Sequence, residues 1–424
     1  MQGEDDFLWG AAISPHQVDS SENTDWARWE EEYAGELADR AALRFADLEA
    51  WDDIAEEATD PANYRSQDGI HHMERYEDDL DLVADHNLNA VRTGFEWGEV
   101  QPSPDSFDRD TIQQYHDYLD AMEERGIEPV ITLWHFTNPD WFVDDGSWHG
   151  DSAVQHFKDY VERMVDEFGD RVDHWVTLNE PSAWVRAAYG MGNLFPNGVT
   201  WPGGATEDSI LPVNPVKMYR AYTSLAEAHH AAYDIIKENN PEAKIGTANS
   251  IGAWRPYNES RINNAICSVL EQIEYRDWLD RTEDSVDFIG VNHYVPIDVD
   301  YRLRGNNYPR SDMGWPTDPG SLEEVVRKID EEYEQPVIIT EHGLADREDE
   351  QRQDMIEGAV ESVREMREDG VDIQGYLHWS LLDNFEWDKG YWPRFGLVEI
   401  DHEDDFERTP RTSFERYADL IRDT

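Results

Sequence analysis

Eight apolar runs, each short enough to be a strand, punctuate the chain at 6–14, 89–97, 128–135, 174–180, 244–251, 286–294, 335–341 and 373–381. Most are near-continuous apolar segments, the pattern of parallel strands buried on both faces. Between them lie longer stretches such as "TIQQYHDYLDAMEERG", "AVQHFKDYVERMVDEFG" and "RQDMIEGAVESVREMREDG". Their apolar residues recur every three or four positions and each ends on glycine, which predicts helices. The segment "TSFERYADLIRD" supplies an eighth helix after the last strand. Eight strand–helix alternations predict an α/β fold, a (β/α)8 TIM barrel. An open doubly wound sheet would want a glycine-rich phosphate loop after an early strand, and "FLWGAAISPHQ" has neither the glycines nor the spacing. No biased linker or internal repeat divides the chain, so one barrel domain is expected over 1–424. The long segments after strands one, four and six, including "WPGGATEDSILPVNP" and "RLRGNNYPRSDMGWPTD", are expected to be insertions around a pocket mouth.

Two of the strands end on an acid. "WVTLNEP" places Glu180 at the end of strand four, and "PVIITEHG" places Glu341 at the end of strand seven. In a barrel both project from the C-terminal face, and strands four and seven stand nearly opposite across the ring. A lone strand-end acid usually pairs with a nearby arginine for structural reasons. Two on opposed strands are the machinery of glycoside hydrolysis, one protonating the leaving oxygen while the other attacks the anomeric carbon or activates water. Seven of the eight strand ends also carry polar groups or aromatics, among them "SPHQVD", Arg92, "WHF", "NHY" and "HWSLLDNFEW". Trp379 and Trp387 offer flat apolar faces for a sugar ring. Gln17, His135, Asn179 and Glu386 offer partners for its hydroxyls. A metal-dependent enzyme would want three or more ligands converging, and here the opposed acids stand beside amides and aromatics. The His pairs at 71–72 and 229–230 are expected at helix surfaces. No metal and no cofactor is implied.

From "DFLWGAAISPHQVDS" to "GLVEIDHEDDFERTPRTSFERYADLI" the chain resembles the family 1 glycoside hydrolases, retaining β-glucosidases and β-galactosidases. The resemblance makes Glu180 in "TLNEP" the acid/base, with Asn179 donating to the sugar 2-hydroxyl, and Glu341 in "ITEHG" the nucleophile. It makes Arg92 and Tyr294 the groups that orient that nucleophile. Gln17, His135, Trp379, Glu386 and Trp387 become the set that holds the non-reducing sugar. The implied substrate is a β-linked oligosaccharide or glycoside, cleaved at a terminal β-D-glucosyl residue, with galactosyl and fucosyl as further possibilities. Three features depart from the family pattern. "QVDS" replaces Gln-x-Glu-Gly, His342 stands where Asn is usual, and the chain is shorter than many relatives. His342 puts an ionisable imidazole next to the nucleophile and so bears on the pH optimum. An inverting hydrolase, a sugar-binding barrel without catalysis and a 6-phospho-β-glycosidase are the alternatives. The last would replace "NFEW" with small and basic residues, and Glu386 would repel a phosphate.

Composition adds a separate signal. The chain has 94 Asp and Glu against 35 Lys and Arg, a formal net charge of -59, with the acids spread along its whole length. Its 17 Trp, 19 Tyr and 14 Phe are far more aromatic mass than disordered chains carry. No basic face exists for a nucleic acid. No apolar run reaches membrane-spanning length, and Cys267 as the single cysteine excludes an internal disulfide. The start "MQGEDDFLWGAAIS" lacks a basic region ahead of an apolar one, so a cytoplasmic location is expected. Oligomeric state is not readable. An acidic surface of this density holds hydration and repels itself unless ions are abundant, which points to a halophilic, archaeal source.

That repulsion yields a prediction. The Debye length is about 30 Å at 0.01 M salt and about 3 Å at 1 M. The unfolding midpoint should therefore rise steeply with salt, with most of the gain complete by roughly 1 M and KCl serving as well as NaCl. A further rise at about 2–4 M, larger in sulfate than in chloride, would instead mark strengthened apolar burial. A midpoint unchanged between about 0.05 and 4 M would refute the halophilic reading.

Overall fold

The computed structural model describes residues 7–67, 69–190, 199–204, 213–258, 260–305 and 307–422. Eight parallel strands close into a barrel: β1 (Leu8–Ala12), β2 (Ala90–Gly94), β3 (Glu128–Thr132), β4 (His174–Asn179), β5 (Lys244–Ser250), β6 (Phe288–His293), β7 (Val337–His342) and β8 (Ile373–Trp379). Seven lie within an expected run, β7 runs one residue past its own to His342, and β8 pairs with β1 to close the ring. Asp6 of the first run lies outside the described residues. The (β/α)8 fold read from the sequence is the fold observed.

Two cores follow from the pleat. Inside the barrel, Leu8, Ala12, Ala90, Val130, Val176, Ala248, Phe288, Ile338 and Leu377 pack together. Small residues on β1, β2 and β5 leave room for the Phe288 ring and Leu377, so the barrel is filled below its mouth. Outside, the alternate strand residues Trp9, Val91, Ile131, Trp175, Ile245, Ile289 and Ile339 meet the inward stripes of the helices. The terminal helix Thr412–Ile421 joins this layer through Phe414, Tyr417 and Ile421.

Besides shifts between β8 and β7, β4 and β7 break register near their C-terminal ends. On β4 the pairing advances three positions, from Val176 to Asn179, while β5 advances two, from Gly246 to Ala248. On β7 it advances two positions, from Ile339 to Glu341, while β6 advances one, from Val291 to Asn292. Each shift is a bulge, which re-aims the side chains that follow it. These are the strands that carry Glu341 and lead into Glu180.

The structure corrects several expectations. The insertion after β1 is largely helical, with Asp25–Asp39, Ala41–Phe45 and Trp51–Ala58, the first capped by the Thr24 side chain. Ala253–Pro256 and Pro296–Val299 pair as a parallel extension beyond β5 and β6, and Val398–Asp401 pairs with Glu407–Pro410. Strands of four residues are too short to leave a period. Most of the "WPGGATEDSILPVNP" insertion lies outside the described residues. The His pairs are not both at the surface. His72 is buried between Asp79 (2.8 Å) and the Tyr118 hydroxyl (3.0 Å), and His229 is buried against the Thr177 hydroxyl at 2.7 Å. His71 is the left-handed cap residue ahead of its helix, and His229 and His230 are helix neighbours that point in different directions, so one imidazole of each pair turns inward. Among the described residues no helix is long and apolar enough to cross a membrane.

Candidate active site

Glu180 leaves β4 in a left-handed conformation, φ 43° and ψ 50°. Pro181 opens the next helix, Pro181–Ala188, and its ring disfavours the right-handed helical region for the residue before it. The left-handed turn costs on the order of 1 kcal/mol for a residue with a Cβ. It is pinned by the Glu180 N–H donating to the Ala248 carbonyl at 2.8 Å. Glu341 precedes the end of β7. Gly343 follows, where a Cβ would meet the Trp379 carbonyl at 1.8 Å. Only glycine lets the two backbones approach this closely, so β7 is held tightly against the end of β8.

Arg92 joins the two acids. From β2 its guanidinium donates to Glu341 Oε1 at 2.5 Å, to Asn179 Oδ1 at 2.7 Å, to the Thr132 hydroxyl at 3.1 Å and to the Thr340 carbonyl at 3.3 Å. Arginine can only donate, and this fixes the direction of each bond beyond it. Asn179 presents its oxygen to Arg92, so its amide nitrogen donates to His135 Nε2 at 3.0 Å. His135 therefore carries its hydrogen on Nδ1, which has no partner among the described residues. Asn292 Nδ2 donates to Asn179 Oδ1 at 3.1 Å and to Glu180 Oε1 at 2.9 Å, while its own oxygen accepts from the Thr340 hydroxyl at 2.7 Å. Because Oε1 of Glu180 is an acceptor, Oε2 is the oxygen left to carry a proton. The Tyr294 hydroxyl donates to Glu341 Oε2 at 2.6 Å. Both oxygens of Glu341 thus accept from fixed donors, and the two acids stand in unlike surroundings.

The electrostatics follow the geometry. Burial, and then the charge of Glu341, push the Glu180 carboxyl well above the usual carboxylate range. Burial and the same charge hold the Tyr294 phenol protonated far above its ordinary value. Burial, aided by Arg92, keeps His135 neutral. His342 does not disturb the site. Its Nδ1 lies 3.0 Å from the Tyr376 hydroxyl on the outer side of the barrel, and burial with His293 nearby pushes it down to about 3. Consecutive strand residues face opposite ways, so an imidazole next to Glu341 in sequence is not next to it in the cleft.

The remaining predicted residues gather on one side. The His135 ring lies 6.0 Å from Trp379 and 6.0 Å from Trp387, with interplanar angles of 29° and 24°. Gln17 donates to the Phe385 carbonyl at 2.8 Å and to Asn384 Oδ1 at 3.2 Å, and accepts from Ser14. That bond fixes the 384–387 segment, which carries Glu386 and Trp387. Burial pushes Glu386 up to about 7. Behind Trp387 lies His16, its ring stacked at 6.0 Å and 8°, with Nε2 bonded to Glu30 at 2.8 Å. All ten sequence-predicted site residues therefore fall into one cluster. Asn292, Thr340, Asn384 and His16 were not predicted. "NHY" at the end of strand six marked Asn292 as a polar strand end, but nothing local tied it to Glu180.

The description "Glycosyl hydrolase family 1" fits residues 2–284 and 268–424. "Beta-glucosidase A" of Thermotoga maritima is 27% identical, with 93% of this chain and 92% of that one covered. Among solved structures, the "beta-glycosidase from Pyrococcus horikoshii" superposes with a TM-score of 0.82 at 27% identity, covering 99% of this chain and 94% of its own. "Beta-glucosidase from Thermotoga maritima in complex with glucoimidazole" gives 0.81 at 23% identity over 98% of each chain, a likeness of fold. With both the family match and the barrel spanning nearly its whole length, this chain belongs to glycosyl hydrolase family 1.

Proposed function

We propose that the chain is a retaining exo-β-glycosidase acting on terminal, non-reducing β-D-glucosyl residues, with Glu341 as nucleophile and Glu180 as acid/base. The unlike surroundings of the two carboxylates carry this reading. Glu341 accepts from Arg92 and Tyr294 and is the group equipped to attack as a carboxylate. Glu180, raised by burial and by Glu341, is the group equipped to hold a proton. A Glu341 oxygen bonds to the anomeric carbon as the glycosidic bond breaks, and the Glu180 proton goes to the leaving oxygen. The ester then carries no charge on Glu341, so one cause of the raised Glu180 value is gone. Glu180 can now take a proton from water, whose oxygen displaces the sugar from Glu341. Trp379 and Trp387 suit the faces of the ring, and Gln17, His135, Asn179 and Glu386 suit its hydroxyls.

Glu386 argues against the 6-phospho alternative. In a dehydrated pocket, phosphate and this carboxylate would be like charges at close range. The relatives named β-glucosidase support a glucosyl substrate. A halophilic, archaeal source rests on the charge of -59 alone, since the named relatives come from Thermotoga and Pyrococcus. A cytoplasmic location and a single catalytic domain complete the reading.

Three measurements test it. Glu341→Gly should lose nearly all hydrolysis and regain part of it with azide or formate. Glu180→Ala should lose most on poor leaving groups while still forming the covalent intermediate from activated aryl glycosides. Equal losses on good and poor leaving groups would sink the Glu180 assignment, and a fluorosugar label on any residue but Glu341 would sink the other.

The second is a pH profile. The basic limb of kcat/KM should report loss of the Glu180 proton. The Asn292 bond favours the carboxylate of Glu180 and so lowers its pKa. Asn292→Ala should therefore move the basic limb to higher pH. A limb that stays in place or moves down contradicts the assignment.

The third is kcat/KM for an aryl β-glucoside against its 6-phosphate. A clear preference for the unmodified sugar is expected, and preference for the phosphate would restore the alternative.

A further inference from the structure

In most helices of a soluble protein the apolar stripe faces the core. The helix Arg261–Glu271 does the reverse. The residues it turns inward are Asn263, Cys267 and Glu271. Asn263 accepts from the Tyr301 N–H at 3.0 Å and donates to Asn258 at 3.1 Å. Glu271 pairs with Lys328 and with Arg276. These bonds fix the rotation of the helix about its axis. Ile262, Ile266, Val269 and Ile273, spaced as one helical stripe, are left facing out, and Ile262, Val269 and Ile273 are 55%, 57% and 56% exposed. Tyr301, tied to Asn263, brings a second exposed pair beside them, itself at 44% and Leu303 at 96%. Eight large hydrophobic side chains are exposed among the described residues, and five belong to this patch.

The charge of the patch is as unusual as its polarity. Acids make up 94 of 424 residues, yet none occurs in 261–270 or 301–305. Arg261 and Arg302 are exposed there, and Arg304 pairs with Asp300 at 2.6 Å. Two copies of a chain with a net charge of -59 repel each other over most orientations. This face is where they can meet without setting carboxylate against carboxylate.

We infer that the stripe Ile262–Ile273 and the Tyr301–Arg304 turn form a homodimer interface, with the helix packed antiparallel on its counterpart about a two-fold axis. A two-fold contact sets the same patch against itself. Antiparallel packing lays Ile262 of one copy near Ile273 of the other. It also carries Arg261 towards the acidic turn of the second copy, where Asp277 and Asp280 follow the stripe. The stripe is only about 16 Å long at 1.5 Å per residue. A stable interface takes roughly 800 Å² from each partner, so the Tyr301–Arg304 turn has to share in it. Burial of apolar surface is not screened by salt, whereas repulsion between the acidic remainders is. The dimer should therefore persist or tighten as KCl rises.

Sedimentation velocity of the full chain, at about 1–100 µM in 0.5 and 3 M KCl, reads this directly. A single monomer–dimer equilibrium is expected, no weaker at the higher salt. Val269→Glu/Ile273→Glu should raise the dimer Kd by at least about 30-fold. Its kcat/KM on an aryl β-glycoside should match that of the unaltered chain. If that variant does not fold, Val269→Ser/Ile273→Ser is read in the same way, with activity as the check on folding. A monomer throughout, a variant that dimerises as before, or growth beyond the dimer would each overturn the inference.

Discussion

Arg92 brings a permanent charge into the mouth of a barrel otherwise packed with Ala, Val, Ile, Leu and Phe, and it is 1% exposed. Taking a guanidinium out of water costs several kcal/mol unless its donors are used. Here four of its five N–H donors are spent, on Glu341, Asn179, Thr132 and a carbonyl of β7. The consequences run outward from that charge. Because arginine cannot accept, the amide of Asn179 has one possible orientation, His135 one tautomer, and Glu180 one free oxygen. The donors and acceptors in this chain of bonds are already oriented, and preorganised dipoles of this kind are the condition for strong electrostatic catalysis. The same charge that makes Glu341 accept also leaves Glu180 facing an occupied neighbour.

How far this was legible varies with the physics involved. The barrel strands were readable because burial on both faces makes each a dense apolar run, and an acid ending such a run stands out. Glu180 and Glu341 were found that way, and so were Arg92 and His135. Register was not readable. The bulges on β4 and β7 depend on which residues of a neighbouring strand they meet, and each strand alone carries no mark of it. Asn292 was missed for the same reason. Its importance lies in reaching Glu180 two strands away, not in anything adjacent to it. His342 shows the converse error, since nearness in sequence suggested an influence on pH that the alternation of the strand removes. At 71–72 and 229–230, adjacency in sequence hid the fact that one imidazole of each pair turns inward.

The acidity of the chain divides into two populations with different physics. Exposed carboxylates sit in high dielectric and respond to ionic strength over a Debye length. A small buried set does not. Burial pushes Asp25 and Glu96 up to about 7, and Glu386 likewise. His16, stacked behind Trp387, is raised as well, which for an imidazole favours the charged form. Burial disfavours its charge, yet Glu30, Glu96 and Asp25 together raise its value. These groups lie under or beside Trp387 and the aromatics around it, where salt does not reach them. The demands of the solvent and the demands of the site can thus be met by the same residue type without conflict.

The helix Arg261–Glu271 marks the limit of pattern reading more sharply than any residue of the site. Its apolar spacing is regular, and spacing of that kind says only that one face is to be shielded from water. It does not say what shields it. The direction is set by polar contacts that no periodicity records: Asn263 to the Tyr301 backbone, and Glu271 to Lys328 and Arg276. Reversing the helix would bury the Ile262–Ile273 stripe, but it would expose Cys267 and strand Asn263 and Glu271 away from their partners. Satisfied polar groups therefore decide the orientation, at the cost of an apolar face in water. In a surface that is otherwise so acidic, that face combines low polarity with the absence of negative charge. Both properties follow from the same residues, and together they turn an exposed stripe from a liability into a place where a second acidic molecule can approach.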